Sequence, residues 1–251
     1  MFKKNYLAIF KNFLTKLLTD YFAFQYICKI IFIKSNKYGK YINHKFRSSK
    51  YKLYILKDDR NVPLMLLAKQ RHKIEYIYNH SIKYKTQNYF DFGSNYGEFI
   101  FPLKKVKNIV SVDANKDLIE CQKLTSFDKK IIFINKMISF KKGSSEFYLN
   151  KFSGSSSYKL SQNPKNPTVK KINIDTIDAA SIFDKLYYEN SIIKIDIEGM
   201  ESAALQSILN IENKFFTLRY IHPSYEAFKA ETPIIENLEK NLIGDYILER
   251  N

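Results

Sequence analysis

The sequence predicts an α/β fold, a mostly parallel sheet with helices on both faces, from three observations. From residue 88 onward, short runs of apolar and β-branched residues alternate with segments of helical pattern, as in sheets whose parallel strands are joined by helices. Gly93 and Gly97 form a tight turn after the first of these runs. The second run ends in Asp113, 20 residues after Gly93, where a carboxylate commonly meets ribose hydroxyls in such folds.

The glycine turn is the centre of this prediction, because two of only seven glycines in the chain fall in it. Glycine permits positive φ and a close approach of backbone to a ligand, and a helix start offers free N–H groups. We therefore predict a nucleotide-like cofactor at this turn, with an ordinary strand-to-helix turn as the alternative. The spacing Gly-x-x-x-Gly is not the full dinucleotide fingerprint, which disfavours NAD.

The N-terminal segment has a helical pattern, because apolar residues recur at three- or four-residue spacing through residues 1–34. Its longest uncharged run, 21–28, is too short to span a bilayer. Two roles are expected for the apolar face of this helix. It packs on the rest of the chain or on a second subunit, or it lies on an anionic membrane surface. Residues 35–50 are polar and basic and read as a linker. The predicted division is a helical extension and linker, 1–50, and a catalytic domain, 51–251.

The remaining elements follow from the same patterns. Residues 51–56 alternate like a strand, and 63–82 read as a helix. Sheet strands are predicted at 88–92, 108–112, 130–135, 192–196, 215–221 and 245–249, and helices near 97–105, 115–124, 199–210 and 232–242. The segment 136–191 is too long for one crossover. It contains two more strand patterns, at 146–149 and 169–174, around a polar loop at 153–168 that either serves binding or is a solvated tip.

Net charge is +16, which raises the possibility of nucleic-acid or anionic-membrane binding. The distribution weakens this reading, because residues 1–50 carry 11 Lys or Arg and one acid, whereas residues 51–251 carry 30 and 24. Only five basic residues are Arg, the side chain that favours bidentate phosphate and guanine recognition. Cys28 and Cys121 are far apart and read as reduced thiols of a cytoplasmic protein. No metal-ligand spacing is present.

Six segments carry a resemblance to a known family. The glycine turn reads Asp-Phe-Gly-Ser-Asn-Tyr-Gly at 91–97, and the fourth strand runs into Ile-Lys-Ile-Asp-Ile-Glu-Gly-Met-Glu at 193–201. Between them lie Val-Asp-Ala-Asn at 112–115, Ile-Asn-Lys-Met-Ile-Ser at 134–139, Ser-Gly-Ser-Ser-Ser at 153–157 and Ile-Asp-Thr-Ile-Asp at 174–178. In this order the segments resemble the FkbM family of S-adenosylmethionine-dependent methyltransferases, over residues 86–222.

The resemblance implies a Rossmann-like class I methyltransferase fold with S-adenosylmethionine as cofactor. It places the cofactor-binding residues at Asp91, Gly93, Asn95, Gly97, Asp113, Asn115, Asn135, Met137 and Asp196, with Asn135 and Met137 beside the adenine ring. The chain departs from the family at Ser94 and Met137, where alanine is usual. After the fifth strand an acid is often found, where this sequence has Arg219 or Tyr220. The family's last antiparallel strand is not visible, since Asn251 falls inside or just after the predicted sixth strand.

Candidate catalytic residues lie at the ends of the fourth and fifth strands. Asp196, Glu198 and Glu201 are three acids beside the predicted cofactor turn. Glu198 is the candidate for orienting or deprotonating an acceptor hydroxyl, and Asp196 for contacting the methionine part or the acceptor. Glu201 is equally explained by the helix dipole. His222 ends the next strand and is either a general base or a strand cap.

These observations predict O-methylation of a hydroxyl group on a saccharide or a natural product, with no metal. An RNA methyltransferase and a non-catalytic cofactor-binding module are the alternatives. A cytoplasmic location is expected, with peripheral contact to a membrane or a subunit through residues 1–34. A chain lacking residues 1–45 is expected to fold and to bind the cofactor.

Overall fold

The computed structural model describes residues 33–36, 39–47, 49–56, 59, 71–126, 130–183, 191–209, 218–222, 239–240 and 246–250. The predicted helical pattern in residues 1–32 lies outside the described residues. Three sheets are formed, with seven strands in the largest and three in each of the others.

The seven-stranded sheet is built from the predicted strands at the centre of the chain. Its parallel strands are β4 (Asn88–Phe92), β5 (Asn108–Val112), β6 (Ile131–Ile134), β10 (Ser191–Ile195) and β11 (Leu218–His222). They lie in the order β6-β5-β4-β10-β11. The first and fourth of the predicted strands are therefore neighbours, and the chain order reverses between β4 and β10. This arrangement confirms the predicted Rossmann-like fold.

The C-terminal end of the sheet differs from the prediction. The strand expected at 245–249 is β13 (Tyr246–Arg250), and it runs antiparallel between β11 and the two-residue strand β12 (Glu239–Lys240). It is therefore the antiparallel strand that the sequence had not revealed. The helix predicted at 232–242 is wrong at Glu239–Lys240, which pairs with β13, and its other residues lie outside the described part of the chain.

The sheet buries both of its faces. Along β4, Tyr89 packs in one apolar cluster with Ile77, whereas Phe90 and Phe92 pack in the other with Phe183. Alternating side chains of a strand point to opposite faces, so β4 separates two cores. All five residues of β4 and all five of β10 are buried, as expected for the centre of a sheet covered on both sides.

Within the described residues the helices are α1 (Arg71–Lys83), α2 (Lys116–Thr125), α3 (Ala180–Phe183) and α4 (Glu201–Leu209). The helix predicted at 97–105 is wrong, because these residues form successive turns, with Ile100 N donating to Gly97 O and Leu103 N to Ile100 O. Pro102 lies inside the predicted helix. It has no N–H to donate and its ring clashes with the preceding turn, which explains the interruption.

An antiparallel sheet occupies residues that were predicted as helix end and linker. It contains β1 (Ile33–Asn36), β2 (Gly39–Phe46) and β3 (Ser49–Ile55) in the order β1-β2-β3. The linker prediction for 35–50 is therefore wrong in its secondary structure, and so is the helical pattern at 33–34, whereas the strand predicted at 51–56 is confirmed as β3. The polar alternation in Gly39–Phe46 is compatible with a two-sided strand. The division of the chain at residue 50 stays a prediction.

The N-terminal sheet packs against the glycine turn and α2. Leu53, Tyr54 and Ile55 share a core cluster with Tyr96, Phe101, Leu118 and Cys121. Phe46 of β2 packs in a second cluster with α1 and the large sheet. Because β2 pairs with the whole of β3, this packing argues against the expectation that a chain lacking residues 1–45 folds normally.

The third sheet carries the long insertion between β6 and β10. It contains β7 (Met137–Ile138), β8 (Gly143–Asn150) and β9 (Thr168–Ile177), with β8 and β9 antiparallel and β7 parallel to β9. The strands predicted at 146–149 and 169–174 and the irregular loop between them are confirmed. In the described part of the chain, no helix is long and apolar enough to cross a membrane.

Candidate active site

A cavity of about 560 Å³, including its opening to solvent, lies at the carboxyl ends of β4, β5 and β10. This is the edge where open parallel sheets bind ligands. Six of the predicted site residues line it, namely Gly93, Asn95, Asp113, Met137, Asp196 and Glu198. Four other predicted site residues do not line the cavity but support residues that do, namely Asp91, Gly97, Asn115 and Asn135.

Gly93 is required by the contact between two strand ends. Its φ is +76°, and a Cβ built on it would lie 1.8 Å from the carbonyl oxygen of Asp196. Any side chain would therefore push the end of β4 away from the end of β10. Gly97, with φ +78°, is similarly hemmed in by Phe101 and Gln122. Substituting Gly93 distorts the fold as well as the site, so it cannot isolate cofactor binding.

Asp113 is held rigidly at the end of β5. Its Oδ2 accepts a hydrogen bond of 2.8 Å from Asn95 N, and its Oδ1 accepts one of 2.8 Å from Asn115 N. Burial raises the pKa of Asp113 to about 6, although these two N–H groups oppose the rise. Asn115 also caps α2 through Asp117 N. Asn135 donates to the carbonyl oxygens of Asp113 and Ala114, so both asparagines fix the backbone around this carboxylate.

A buried ion pair joins the two most specific motifs. Lys194 of β10 donates 2.8 Å to Asp91 Oδ1 and 2.9 Å to Gly93 O. The two side chains are 5% and 0% exposed. Desolvation raises the pKa of Asp91, and the nearby Lys194 charge opposes this. Lys194 therefore ties the end of β10 to the glycine turn, which explains why Asp91 is buried in the strand and does not reach the cavity.

The glycine turn is also supported by a polar network from α2. Gln122, fully buried, donates to Ser94 Oγ at 2.8 Å and to Asn95 O at 2.7 Å. Ser111 of β5 donates to Gln122 Oε1 at 2.6 Å. Ser94, a departure from the family pattern, is thus explained by a hydrogen-bonded network in which its hydroxyl takes part.

Two acceptor atoms near the turn lack a donor in the described part of the chain. They are Asn95 Oδ1 and Glu98 Oε2. Asn95 has φ +49°, a conformation unusual for a residue other than glycine, and its Nδ2 donates to Glu98 Oε1 at 3.3 Å. Burial raises the pKa of Glu98 to about 7, with the Lys194 charge opposing. Buried polar atoms are normally hydrogen-bonded, and Asn95, whose Oδ1 lacks a donor among the described residues, belongs to the cavity wall.

The cavity wall at the end of β10 is acidic. Asp196 directly follows β10, and Glu198, with φ +48°, also lines the cavity. Partial desolvation, followed by the charges of Asp196 and Glu201, raises the pKa of Glu198 to about 7, although the residue as a whole remains exposed. Glu201 instead accepts a hydrogen bond from Gly199 N at the start of α4. This favours the helix-start interpretation of Glu201.

His222 is the last residue of β11, and its backbone pairs with Tyr246. In the parallel pairing of β10 and β11, Lys194 is opposite Ile221. The backbone of His222 therefore ends at the same edge of the sheet as Asp196. The position of its side chain lies outside the described residues, and its catalytic role stays a prediction.

The insertion supplies the outer wall of the cavity. Phe147 of β8 and Ser153, Gly154, Ser156 and Tyr158 of the following loop line it. Ser153 donates to Asp59 Oδ2 at 2.5 Å, and Tyr96 of the glycine turn donates to the same oxygen at 2.5 Å. The apolar part of the wall consists of Val112, Ala114, Leu118, Met137, Ile138, Phe147, Ile197 and Met200.

Several of these residues were missed by sequence reasoning. Lys194 and Gln122 act through partners more than 25 residues away, and no local pattern indicates such contacts. No motif in the sequence singles out Asp59. The one signal that was available is the Lys in Ile193-Lys-Ile-Asp196, a charged residue inside an apolar strand, which normally requires a buried partner.

No family model matches the chain, and no curated protein matches it. Among solved structures, an M. jannaschii tRNA m1G37 methyltransferase is 13% identical, with TM-score 0.41, and the match covers 83% of this chain and 55% of that one. The plantazolicin methyltransferase BpumL in complex with SAH is 10% identical, with TM-score 0.35, covering 72% and 55%. The chain thus spans about half the length of the solved structures it matches.

Proposed function

We propose that the chain is an S-adenosylmethionine-dependent O-methyltransferase of the FkbM kind, acting on a hydroxyl of a saccharide or a related natural product. The supporting observation is the placement of carboxylates on two strands that line one cavity. Asp113 follows β5, and Asp196 and Glu198 follow β10, the two strands that flank β4, and all three residues line the cavity together with apolar side chains. In S-adenosylmethionine the ribose diol lies in the middle of the molecule, between the adenine base and the positively charged sulfonium that carries the methionine chain.

Asp113 and the apolar wall would hold the adenosine part. The two backbone N–H groups fix the Asp113 carboxylate, and each oxygen keeps acceptor capacity for a ribose hydroxyl. Met137, Ile138 and Phe147 provide apolar surface for the adenine ring. Asn135 and Asn115 act behind this wall as positioning residues, and Gly97 keeps the turn closed.

The turn and the acidic wall at the end of β10 would hold the methionine part and the acceptor. Asn95 Oδ1 would accept a hydrogen bond from the cofactor, and Asp196 would lie near its charged groups. Transfer is an in-line displacement: the acceptor oxygen forms a bond to the methyl carbon as the carbon–sulfur bond breaks. Glu198 would take the hydroxyl proton, since a pKa of about 7 suits a general base at neutral pH. His222 is the other candidate for this proton.

Calorimetric titration of the native protein with S-adenosylmethionine, and separately with NAD, tests the cofactor. We expect micromolar binding of the former only. Gly154→Phe should weaken this binding at least tenfold, because Gly154 lines the cavity and its added Cβ meets nothing closer than 3.8 Å. Gly143→Phe is the matched control, an open glycine outside the cavity wall. A folded native protein that does not bind S-adenosylmethionine contradicts the proposal.

The acceptor is tested by transfer of a labelled methyl group to hydroxylated saccharides, with RNA as the competing acceptor. Glu198→Gln should still bind S-adenosylmethionine, about three- to tenfold more weakly at pH 8, and lose most of the transfer. Labelled RNA, and no labelled saccharide, would establish the alternative activity. Bound cofactor with no transfer to either class would favour a non-catalytic module.

A further inference from the structure

An exposed surface of mixed apolar and basic character lies at one end of the β8–β9 hairpin, beside the cavity mouth. Its apolar members are Phe152, Leu160 and Val169, which are 38%, 56% and 65% exposed. Its basic members, all exposed, are Lys151, Lys159, Lys165 and Lys170. These seven residues are called the hairpin surface below. Exposed large apolar side chains that cluster in this way usually mark an interaction site.

Hydrogen bonds show that the hairpin surface is one region. Lys151 N donates to Pro167 O at 2.9 Å, which joins the end of β8 to the start of β9. Phe152 N donates to Asn166 Oδ1 at 2.7 Å, next to Lys165. Ser161 N, which follows Leu160, donates to Thr168 Oγ1 at 3.1 Å, next to Val169. Leu149 pairs with Lys170 and Asn150 pairs with Thr168, so Val169 is an extra residue in β9, as in a β-bulge.

The charge of the region has one sign. Residues 147–174 contain five Lys and no Asp or Glu. Lys171 is paired with Glu146 at the middle of the hairpin and is therefore left out of the hairpin surface. In the described part of the chain, Lys151, Lys165 and Lys170 have no carboxylate partner. These three charges are available to an anionic partner.

We propose that the hairpin surface docks the protein on an anionic lipid bilayer. Lysines gain free energy near anionic headgroups, and Phe, Leu and Val gain by leaving water for the acyl boundary. A saccharide or a phosphate chain uses the lysines but gains little from exposed Leu160 and Val169. Residues 1–32 cannot cover this surface by charge complementarity, because they carry five Lys and one acid.

Docking would orient the cavity. Ser153, Gly154, Ser156 and Tyr158 line the cavity and belong to the same loop as Phe152 and Leu160. The cavity mouth would therefore open close to the bilayer, and the acceptor would be a molecule held at that surface. The docking proposal does not depend on the proposed methyl transfer, because vesicle binding is measured without cofactor or acceptor.

The test is sedimentation of the full chain with vesicles of phosphatidylcholine containing 30% phosphatidylglycerol, and with pure phosphatidylcholine vesicles. We expect binding to the anionic vesicles only. The triple variant Lys151→Gln, Lys165→Gln, Lys170→Gln should bind about 100-fold more weakly, since each lysine near an anionic surface contributes about fivefold. The matched control is Lys104→Gln, Lys105→Gln, Lys107→Gln, three exposed lysines just before β5 at the opposite edge of the sheet, which should change binding less than threefold.

A second pair of variants tests the apolar part. Leu160→Asn with Val169→Asn should weaken binding about tenfold, and the loss should persist at high salt, where lysine contacts are screened. Phe140→Asn is the control, because Phe140 is 61% exposed near the other end of the hairpin. Equal vesicle binding by the native chain and the lysine variant would overturn the proposal and assign binding to another segment. Binding of single-stranded RNA, and not vesicles, through the same lysines would also overturn it.

Discussion

Lys194 is the residue in which the two most specific motifs of the sequence meet. Its ammonium group satisfies both the Asp91 carboxylate and the Gly93 carbonyl in the sheet interior. A buried carboxylate that loses its partner is left with an uncompensated desolvation cost. The pair therefore makes the glycine turn depend on β10.

Lys194→Met should destabilise the protein by about 3–5 kcal/mol in urea unfolding, because it leaves Asp91 charged and unpaired. The double variant Lys194→Met, Asp91→Asn should recover part of this loss. Lys123→Met removes the exposed pair with Glu120 and should cost less than about 0.5 kcal/mol. A cost for Lys194→Met no larger than that of Lys123→Met would show that the buried pair does not hold the turn.

Glu98 gives the protein a pH-dependent stability. Its pKa is about 7 in the folded state against 4.5 for an ordinary Glu, so between these values the folded state binds more protons than the unfolded state. Stability from this group therefore falls as pH rises from about 4.5 to 7. Glu98→Gln should be more stable than the native protein by about 3–4 kcal/mol at pH 8, and the difference should shrink towards pH 5. A difference independent of pH would contradict this.

Glu198 should make cofactor binding sensitive to pH. Above about pH 7 its carboxylate is charged and attracts a sulfonium, whereas S-adenosylhomocysteine lacks that positive charge. The ratio of S-adenosylmethionine to S-adenosylhomocysteine affinity should therefore rise about three- to tenfold between pH 6 and 8. In Glu198→Gln the ratio should stay constant. If the affinity ratio of the native protein does not change with pH, Glu198 does not lie close to the sulfonium of the bound cofactor.

At the scale of elements, the N-terminal sheet shares a core with the cofactor turn. Leu53 of β3 is fully buried beside Tyr96 and Leu118. Leu53→Ala should cost about 2–5 kcal/mol of stability in urea unfolding, whereas Leu160→Ala, at an exposed position, should cost less than about 0.5 kcal/mol. Small costs for both would indicate that the N-terminal sheet contributes little to the core, as the expectation for a chain lacking residues 1–45 requires.

The elements that could be predicted are those encoded locally. Buried β-branched runs such as Asn108–Val112 indicate a strand wherever they occur, and the spacing from Gly93 to Asp113 identified a residue of the cavity wall. The direction of β13 could not be predicted because it depends on pairing with β11. The helix predicted at 97–105 was wrong because the prediction ignored Pro102. Contacts such as Lys194–Asp91, 103 residues apart, leave no local pattern.

At the scale of the whole molecule, one buried carboxylate connects the three sheets. Asp59 follows the N-terminal sheet, and its Oδ2 accepts hydrogen bonds from Tyr96 beside the large sheet and Ser153 in the insertion. The wall of the cavity therefore depends on a residue outside it. Burial raises the pKa of Asp59, and the two hydroxyl donors oppose the rise.

Asp59→Ala should weaken S-adenosylmethionine binding about tenfold, because the Ser153 and Tyr96 hydroxyls lose a buried acceptor. Asp59→Asn keeps an acceptor oxygen and should bind more tightly than Asp59→Ala. The control is Asp117→Ala, an exposed acid on α2. The measurement is calorimetric titration of the folded variants with S-adenosylmethionine. Unchanged affinity in Asp59→Ala would show that the N-terminal sheet does not influence the cofactor site.

The contact between Gly93 and the carbonyl oxygen of Asp196 bears on how such a sequence evolves. Because the glycine is demanded by the meeting of two strand ends, selection for a folded chain is enough to retain it. A descendant that had lost methyl transfer would still carry Gly93, while Gly154, which borders the cavity in open space, would drift. The state of position 154 among related chains is therefore a better record of lost or retained activity than the hallmark glycine itself.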